Sequence, residues 1–181
     1  MLITRPEPEA ERTQAALAAL GHDVIRAPVL AIEPSDNAAF GAGPWDAALA
    51  TSANALRAIA RHPRLAELAA VPLFAVGRRT AEAAKSVGFA RVVSADGDEQ
   101  ALVKAIERSF AGRRAAFLYL AGEEQARDLA GDLVRAGFQV QTAVVYRAVA
   151  ARRLPEKACA DLSSGRIDGV LHYSRRSAEA F

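Results

Sequence analysis

Two stretches of this chain hand a short apolar strand to a helix through a serine, and they do it in register. Residues 45–59 read WDAALATSANALRAI and residues 168–181 read DGVLHYSRRSAEAF. A shift of 122 positions (46 to 168) superposes Asp46 on Asp168, Leu49 on Leu171, Ser52 on Ser174 and Ala58 on Ala180. The apolar runs are too short for helices and suit buried strands, and the serines suit the first uncapped turn of the helix that follows. A helix N-terminus carries unpaired backbone N–H groups and partial positive charge, so it attracts anions. Two such ends predict a two-lobed α/β protein that grips an anionic ligand.

The first part of the chain repeats as well. A shift of 116 positions carries residues 2–30 onto 118–146 without a gap, with Leu2, Glu7, Ala10, Leu17, Gly21, Val24, Ala27 and Val29 finding identical partners. Leu2–Thr4 reads as a strand and Pro8 as the first helical turn. Ala10, Thr13, Leu17 and Leu20 form the apolar stripe, Gly21 is the stop, and Val24–Ala27 is the next strand. Glu33–Pro44 reads as a linker. Further strands are expected at Val71–Val76, Arg91–Ser94, Ala115–Leu120 and Val140–Tyr146. Helices are expected at 53–60, Leu65–Ala69, Ala81–Val87, Glu99–Ser109, Gln125–Ala136 and Lys157–Ser164. Arg147–Pro155 reads as a second connector. The order of units is then A, B, A′, B′. Adding 122 to the segments at 76–89 and 101–107 puts their expected counterparts near 198–211 and 223–229, past Phe181, so the lobe that contains B′, lobe 1, is expected to lack its C-terminal part.

Composition narrows the class. Hydrophobic residues make up 51% of 181 residues, enough for packed cores. A net charge of +2, with arginines dispersed in pairs, lacks the basic stripe of a nucleic-acid binder. Cys159 is alone, which excludes an internal disulfide and fits a reducing compartment. The N-terminus lacks a signal-peptide pattern and no apolar run is long enough to cross a bilayer, so a cytoplasmic protein is expected.

In parallel α/β sheets ligands bind beyond the carboxyl ends of strands. The exit loops expected there are Thr4-Arg5-Pro6, Thr51-Ser52-Ala53-Asn54, Gly77-Arg78-Arg79-Thr80, Ala121-Gly122-Glu123, Tyr146-Arg147 and Tyr173-Ser174-Arg175-Arg176. They offer hydroxyls, guanidinium groups and backbone, and no hydrolytic or metal inventory. His22, His62 and His172 have no metal-ligand spacing, and no Walker A, GxGxxG or GxSxG pattern occurs. Ser52, Thr80 and Ser174 serve equally well as helix caps, and Tyr146 as an interface tyrosine. At its ordinary pKa of ~10 a phenol is protonated at neutral pH and able to donate.

The ordered set LITRPEPEAERTQAALAALGHDVIRAPVL, DAALATSANALRA, PLFAVGRRTAEAAKSVGF, LYLAGEEQARDLAGDLVRAGFQVQTAVVYRA and IDGVLHYSRRSAEAF resembles uroporphyrinogen-III synthase along the whole chain. The resemblance implies two α/β lobes with parallel sheets flanked by helices and joined by a two-stranded connector: lobe 1 from residues 1–33 and 150–181, lobe 2 from 34–149. It implies a cleft between lobes as active site, and cyclisation of hydroxymethylbilane, a linear tetrapyrrole with eight carboxylates, with loss of water and inversion of ring D. It implies no cofactor and no metal. Tyr146 matches the family's strand-end tyrosine and is expected to help the hydroxyl leave. Ser52, Thr80 and Ser174 match its hydroxyl positions and are expected to bind acetate or propionate groups. Pro6, Thr51, Asn54, Gly77 and Gly122 belong to the same substrate-binding loops, with Arg5, Arg78 and Arg147 as electrostatic contributors. Arg175 and Arg176 depart from the small or apolar residues that usually follow this serine. The expected partner is the small-molecule substrate, with no nucleic acid and no membrane. A monomer is expected, making at most transient contact with the preceding pathway enzyme. The competing expectation from the residues is a non-catalytic bilobal binding or sensory module on the same fold.

Overall fold

The protein's structure, a computed structural model, describes residues 1–35 and 38–181. The expected linker Glu33–Pro44 therefore falls partly on Asp36 and Asn37, which lie outside the described residues. In chain order the elements are β1 (Leu2–Ile3), α1 (Glu9–Ala18), β2 (Ile25–Arg26), β3 (Leu30–Pro34), β4 (Ala47–Ala50), α2 (Ala53–Ala58), α3 (Leu65–Ala69), β5 (Leu73–Ala75) and α4 (Arg78–Ser86). There follow β6 (Val92–Ser94), α5 (Glu99–Ser109), β7 (Ala116–Gly122), α6 (Leu129–Arg135), β8 (Gln139–Ala150), α7 (Glu156–Ser163), β9 (Val170–Leu171) and α8 (Arg175–Glu179). The chain divides into two compact units, Met1–Glu33 with Ala148–Phe181, and Pro34–Arg147.

The larger sheet runs β3-β8-β7-β4-β5-β6, with β4, β5, β6, β7 and β8 parallel; β4, β5, β6 and β7 lie wholly in the unit Pro34–Arg147, and β3 and β8 each run from one unit into the other. The edge pair β3–β8 is antiparallel, since Ala151 N donates to Val29 O and Ser35 N to Val145 O, in opposite chain order. All four residues of β4 have no exposed surface, as a central parallel strand covered on both faces requires. The period of two sorts the side chains. Ala48, Ala50, Leu118 and Leu120 pack with Leu56, Ile59, Leu68 and Phe89 on one face. Leu49, Phe74, Phe117 and Tyr119 pack with Leu102, Ile106, Phe110, Leu129 and Leu133 on the other.

The unit formed by Met1–Glu33 and Ala148–Phe181 has a parallel sheet of order β2-β1-β9. Its buried apolar residues are fewer and include Leu2, Ile3, Ala10, Val24, Ala27, Val29, Leu30 and Ala158. Gly21, at φ 85°, turns the chain out of α1 as expected. The stripe is shorter than read: Leu20 is 73% exposed, because α1 ends at Ala18 and the chain has already turned away.

Three other expectations give way. Arg78, Arg79 and Thr80 are the first turn of α4 rather than a loop, with extended Gly77 as N-cap, so Thr80 is not a cap. The helix expected from Gln125 starts only at Leu129, because the Asp128 carboxylate accepts from Gly131 N and fixes the first turn there. Strand β8 continues past Tyr146 to Ala150, drawing in part of the expected second connector, because β3 lies beside it.

Candidate functional site

At the carboxyl end of the sheet in the unit Pro34–Arg147, register decides which side chains meet. Leu49 of β4 pairs with Tyr119 of β7, so the Thr51 hydroxyl reaches the Tyr119 phenol at 3.0 Å. One step along, a bulge at Ala121/Gly122 sets Gly122 opposite Tyr146. A Cβ at Gly122 would lie 2.6 Å from Cζ and 2.8 Å from the hydroxyl of Tyr146, so any larger residue would make the ring shift from this position. Glu123 N donates to Tyr146 O at 2.9 Å and secures the loop that follows. Ser52 caps α2, accepting from Asn54 N at 3.2 Å, while Asn54 Oδ1 accepts from Arg57 at 2.8 Å.

The next exit turn is more open. A Cβ at Gly77 would meet nothing within 4 Å. Arg78 is 85% exposed on its side chain, with only a loose 3.6 Å pair to Asp96. Thr80 is buried in the same first turn of α4. Arg147 is exposed on β8 directly after Tyr146.

Electrostatics at this edge come from buried groups that the exit-loop reading did not include. Burial pushes the Tyr119 phenol up, partly offset by its hydrogen bond to Thr51. Burial also raises the Glu99 carboxyl at the start of α5, against the opposing charge of Arg127, whose Nε stands 3.9 Å away. Glu99 Oε2 is buried without a hydrogen bond. Tyr119 sits in an apolar run and reads as core. Only the strand register reveals that its hydroxyl tip reaches the carboxyl edge of the sheet.

The unit with the three-stranded sheet has its own carboxyl edge. Arg5 leaves β1, donates to Thr13 Oγ1 at 3.1 Å and lies 4.3 Å over the Tyr173 ring, with Pro6 next in the chain. Ser174 caps α8, accepting from Ser177 N at 3.1 Å. Arg175 pairs with Glu179 at 2.6 Å and Arg176 donates to Ala148 O, so both arginines have partners within their own unit. Thus Arg5, Pro6 and Ser174 gather on one sheet edge, and Thr51, Ser52, Gly122, Tyr146 and Arg147 on the other, with Asn54, Gly77, Arg78 and Thr80 in the two helices or turns that leave it. Among the described residues no cluster of three or more His, Cys, Asp or Glu side chains is arranged to hold a metal ion, and no helix is long and apolar enough to cross a membrane.

The sequence model of the family described as uroporphyrinogen-III synthase HemD matches residues 11–181. No curated protein sequence matches the chain. Among solved structures, the chain is similar to uroporphyrinogen-III synthetase of Helicobacter pylori, with a TM-score of 0.64 and 17% identity over 99% of this chain and 76% of that one. It is similar also to a mutant uroporphyrinogen III synthase of Thermus thermophilus, with a TM-score of 0.61 and 19% identity over 99% of this chain and 74% of that one. At these identities the likenesses establish the fold, a mixed α/β architecture of helix-flanked parallel sheets. The family match, covering nearly the whole sequence, establishes more: the chain belongs to the uroporphyrinogen-III synthase family and serves tetrapyrrole (haem) biosynthesis.

Proposed function

We propose that this protein is the hydro-lyase that closes hydroxymethylbilane into uroporphyrinogen III, losing water and inverting ring D. The observation that carries the residue assignment is the Tyr146 ring seated against Gly122 at the carboxyl end of β7, in the space a Cβ there would take. Tyr146 donates a proton to the departing hydroxyl. The exposed methylene then joins ring D through a spiro intermediate. Ser52, Thr80 and Ser174, with Thr51, Asn54, Gly77, Gly122, Arg5, Pro6, Arg78 and Arg147, hold the acetate and propionate arms. Holding a flexible polyacid in the one productive shape is a positioning effect, which needs donors and cations more than strong bases. The protein works in the cytoplasm as a monomer, with no cofactor.

A coupled assay that supplies hydroxymethylbilane and separates isomers III and I tests this. The intact protein enriches isomer III, and Tyr146→Phe lowers turnover by about 100-fold, in the range for loss of one general acid. Product of isomer I alone from the unsubstituted protein would sink the assignment. Nothing in the structure favours the non-catalytic binder.

A further inference from the structure

Thr4 follows β1 and has no exposed surface, yet it carries a hydroxyl. That hydroxyl donates to Leu171 O at 3.0 Å and also stands 3.0 Å from His172 Nδ1. Leu171 O accepts from Thr4 N as well, at 3.2 Å. A hydroxyl has one proton to give. With it directed to Leu171 O, the Thr4 oxygen is left to accept, and the histidine nitrogen facing it must carry a hydrogen. The opposite tautomer forces the single proton to choose between two acceptors and leaves the arrangement one hydrogen bond short. The favoured neutral form therefore has its hydrogen on Nδ1 and its lone pair on Nε2.

His172 is exposed, directly after β9 and directly before Tyr173 and Ser174. It thus stands at the same edge as Arg5 and Ser174. We infer that His172 is a further catalytic residue of this site, held by Thr4 as the Nδ1–H tautomer so that Nε2 accepts a proton from the substrate. The inference rests on the cyclisation proposed above.

That reaction has a proton to dispose of. The carbon–oxygen bond of the terminal hydroxymethyl group breaks with its electron pair on oxygen, and the departing hydroxide takes the proton of Tyr146 to leave as water. A carbon–carbon bond forms from the freed methylene to the substituted carbon of ring D, giving the spiro intermediate. The older bond from that carbon to its bridging methylene then breaks with its electron pair on ring D, and the bridging methylene rejoins the ring at the carbon that still bears hydrogen, which inverts it. That carbon loses its hydrogen as a proton, and the carbon–hydrogen electron pair restores the aromatic pyrrole. Nε2 takes this proton. The imidazolium releases it to solvent, and the phenolate regains one from solvent, so the sum is substrate to product plus water.

The test uses the intact protein and begins with turnover and isomer ratio of the unsubstituted form. Nitrogen-15 NMR of the neutral imidazole is expected to show Nδ1 protonated and Nε2 bare. A bare Nδ1 would overturn the inference without touching the reaction assignment. His172→Asn keeps an amide near the Nδ1 place that can still donate to Thr4, and removes Nε2. It is expected to lose about 100-fold in kcat with KM little changed, and added imidazole is expected to restore part of the rate. His172→Gln gives a second reading should the Asn variant fail to fold. Unchanged kcat in a folded variant overturns the role. Absence of isomer III from the unsubstituted protein is seen before any substitution and ends the reaction assignment and this role together.

Discussion

At Gly122 the missing side chain makes room for a neighbour, because the Tyr146 ring occupies the space a Cβ would take, 2.6 Å from Cζ. Gly122→Ala is expected to push the phenol aside. Overpacking of this kind costs about 1–3 kcal/mol, and a displacement near 1 Å at a reacting group lowers turnover by about 100-fold. Thermal unfolding and the isomer assay read the two effects, and a variant with full turnover would disconnect Tyr146's seat from catalysis. Asp161 is the opposite case, a residue whose chemistry serves the fold. Its carboxylate accepts from Lys157 at 2.8 Å and Arg166 Nε at 2.9 Å, tying α7 to the turn that leads into β9. The hydrogen bonds from Lys157 and then Arg166 hold that carboxyl below the usual carboxylate range. A group lowered in the folded state stabilises above its unfolded pKa, and the contribution is lost as pH falls through the folded one. Asp161→Asn is therefore expected to melt below the unsubstituted protein at neutral pH, the gap closing in acid below about pH 4. Melting curves across that range decide it, and a gap that widens in acid would reverse the sign.

The helices of this protein are short, and their first turns carry much of their definition. Ser52→Ala removes the acceptor for Asn54 N and is expected to cost about 1 kcal/mol, with glycine costing less. If Ser52 also binds substrate, KM in the alanine variant rises, and the glycine variant recovers stability without recovering KM. Equal recovery of both would reduce Ser52 to a cap. Such local chemistry is what the sequence displays well. The buried strand Ala47–Ala50, helix Glu99–Ser109 and helix Leu65–Ala69 stand where the pattern puts them, since burial and capping agree there. Asp98 accepts from Ala101 N and marks the start of α5 plainly. Helix α4 was less legible, because its N-cap is Gly77, which has no side chain to announce itself, while the hydroxyl of Thr80 suggested a later start. The good helix formers at 125–127 concealed the start that Asp128 imposes on α6. The full length of β8 depends on the neighbouring β3, which no local pattern encodes. In the site, the exit-loop hydroxyls could be read from strand ends alone. Tyr119, Glu99 and the Thr4–His172 contact could not, because each depends on which residue of a distant strand or helix lies alongside.

The two units differ in how much apolar surface secures them. In Pro34–Arg147 the sheet is covered on both faces, by one cluster that includes Leu56, Ile59, Leu68 and Phe89 and another that includes Phe110, Phe117 and Phe138 with rings 5.0 and 5.2 Å apart. In the other unit the buried apolar residues are fewer: Leu2, Ala27 and Ala158 pack as a cluster with partly buried Ile25, Leu154, Leu162, Ile167 and Val170, and Ile3, Ala10, Val24, Val29 and Leu30 are buried beside it in the chain. Each fully buried large apolar side chain contributes about 1.5–3 kcal/mol, and alanines contribute far less, so the smaller cluster leaves its sheet nearer to local opening. Hydrogen exchange reports such openings strand by strand, because an amide exchanges only when its own cooperative unit opens. In this 181-residue chain the amides of Ala27, donating to Ile3 O at 2.8 Å, and Ile25, donating to Met1 O at 2.9 Å, are expected to exchange well before those of Ala48 and Leu73, although the hydrogen bonds themselves are as short. The unequal cores, not the bonds, set that order. Matching protection at the two sets of amides would mean that the chain opens as one unit and that the small cluster is not the weak point.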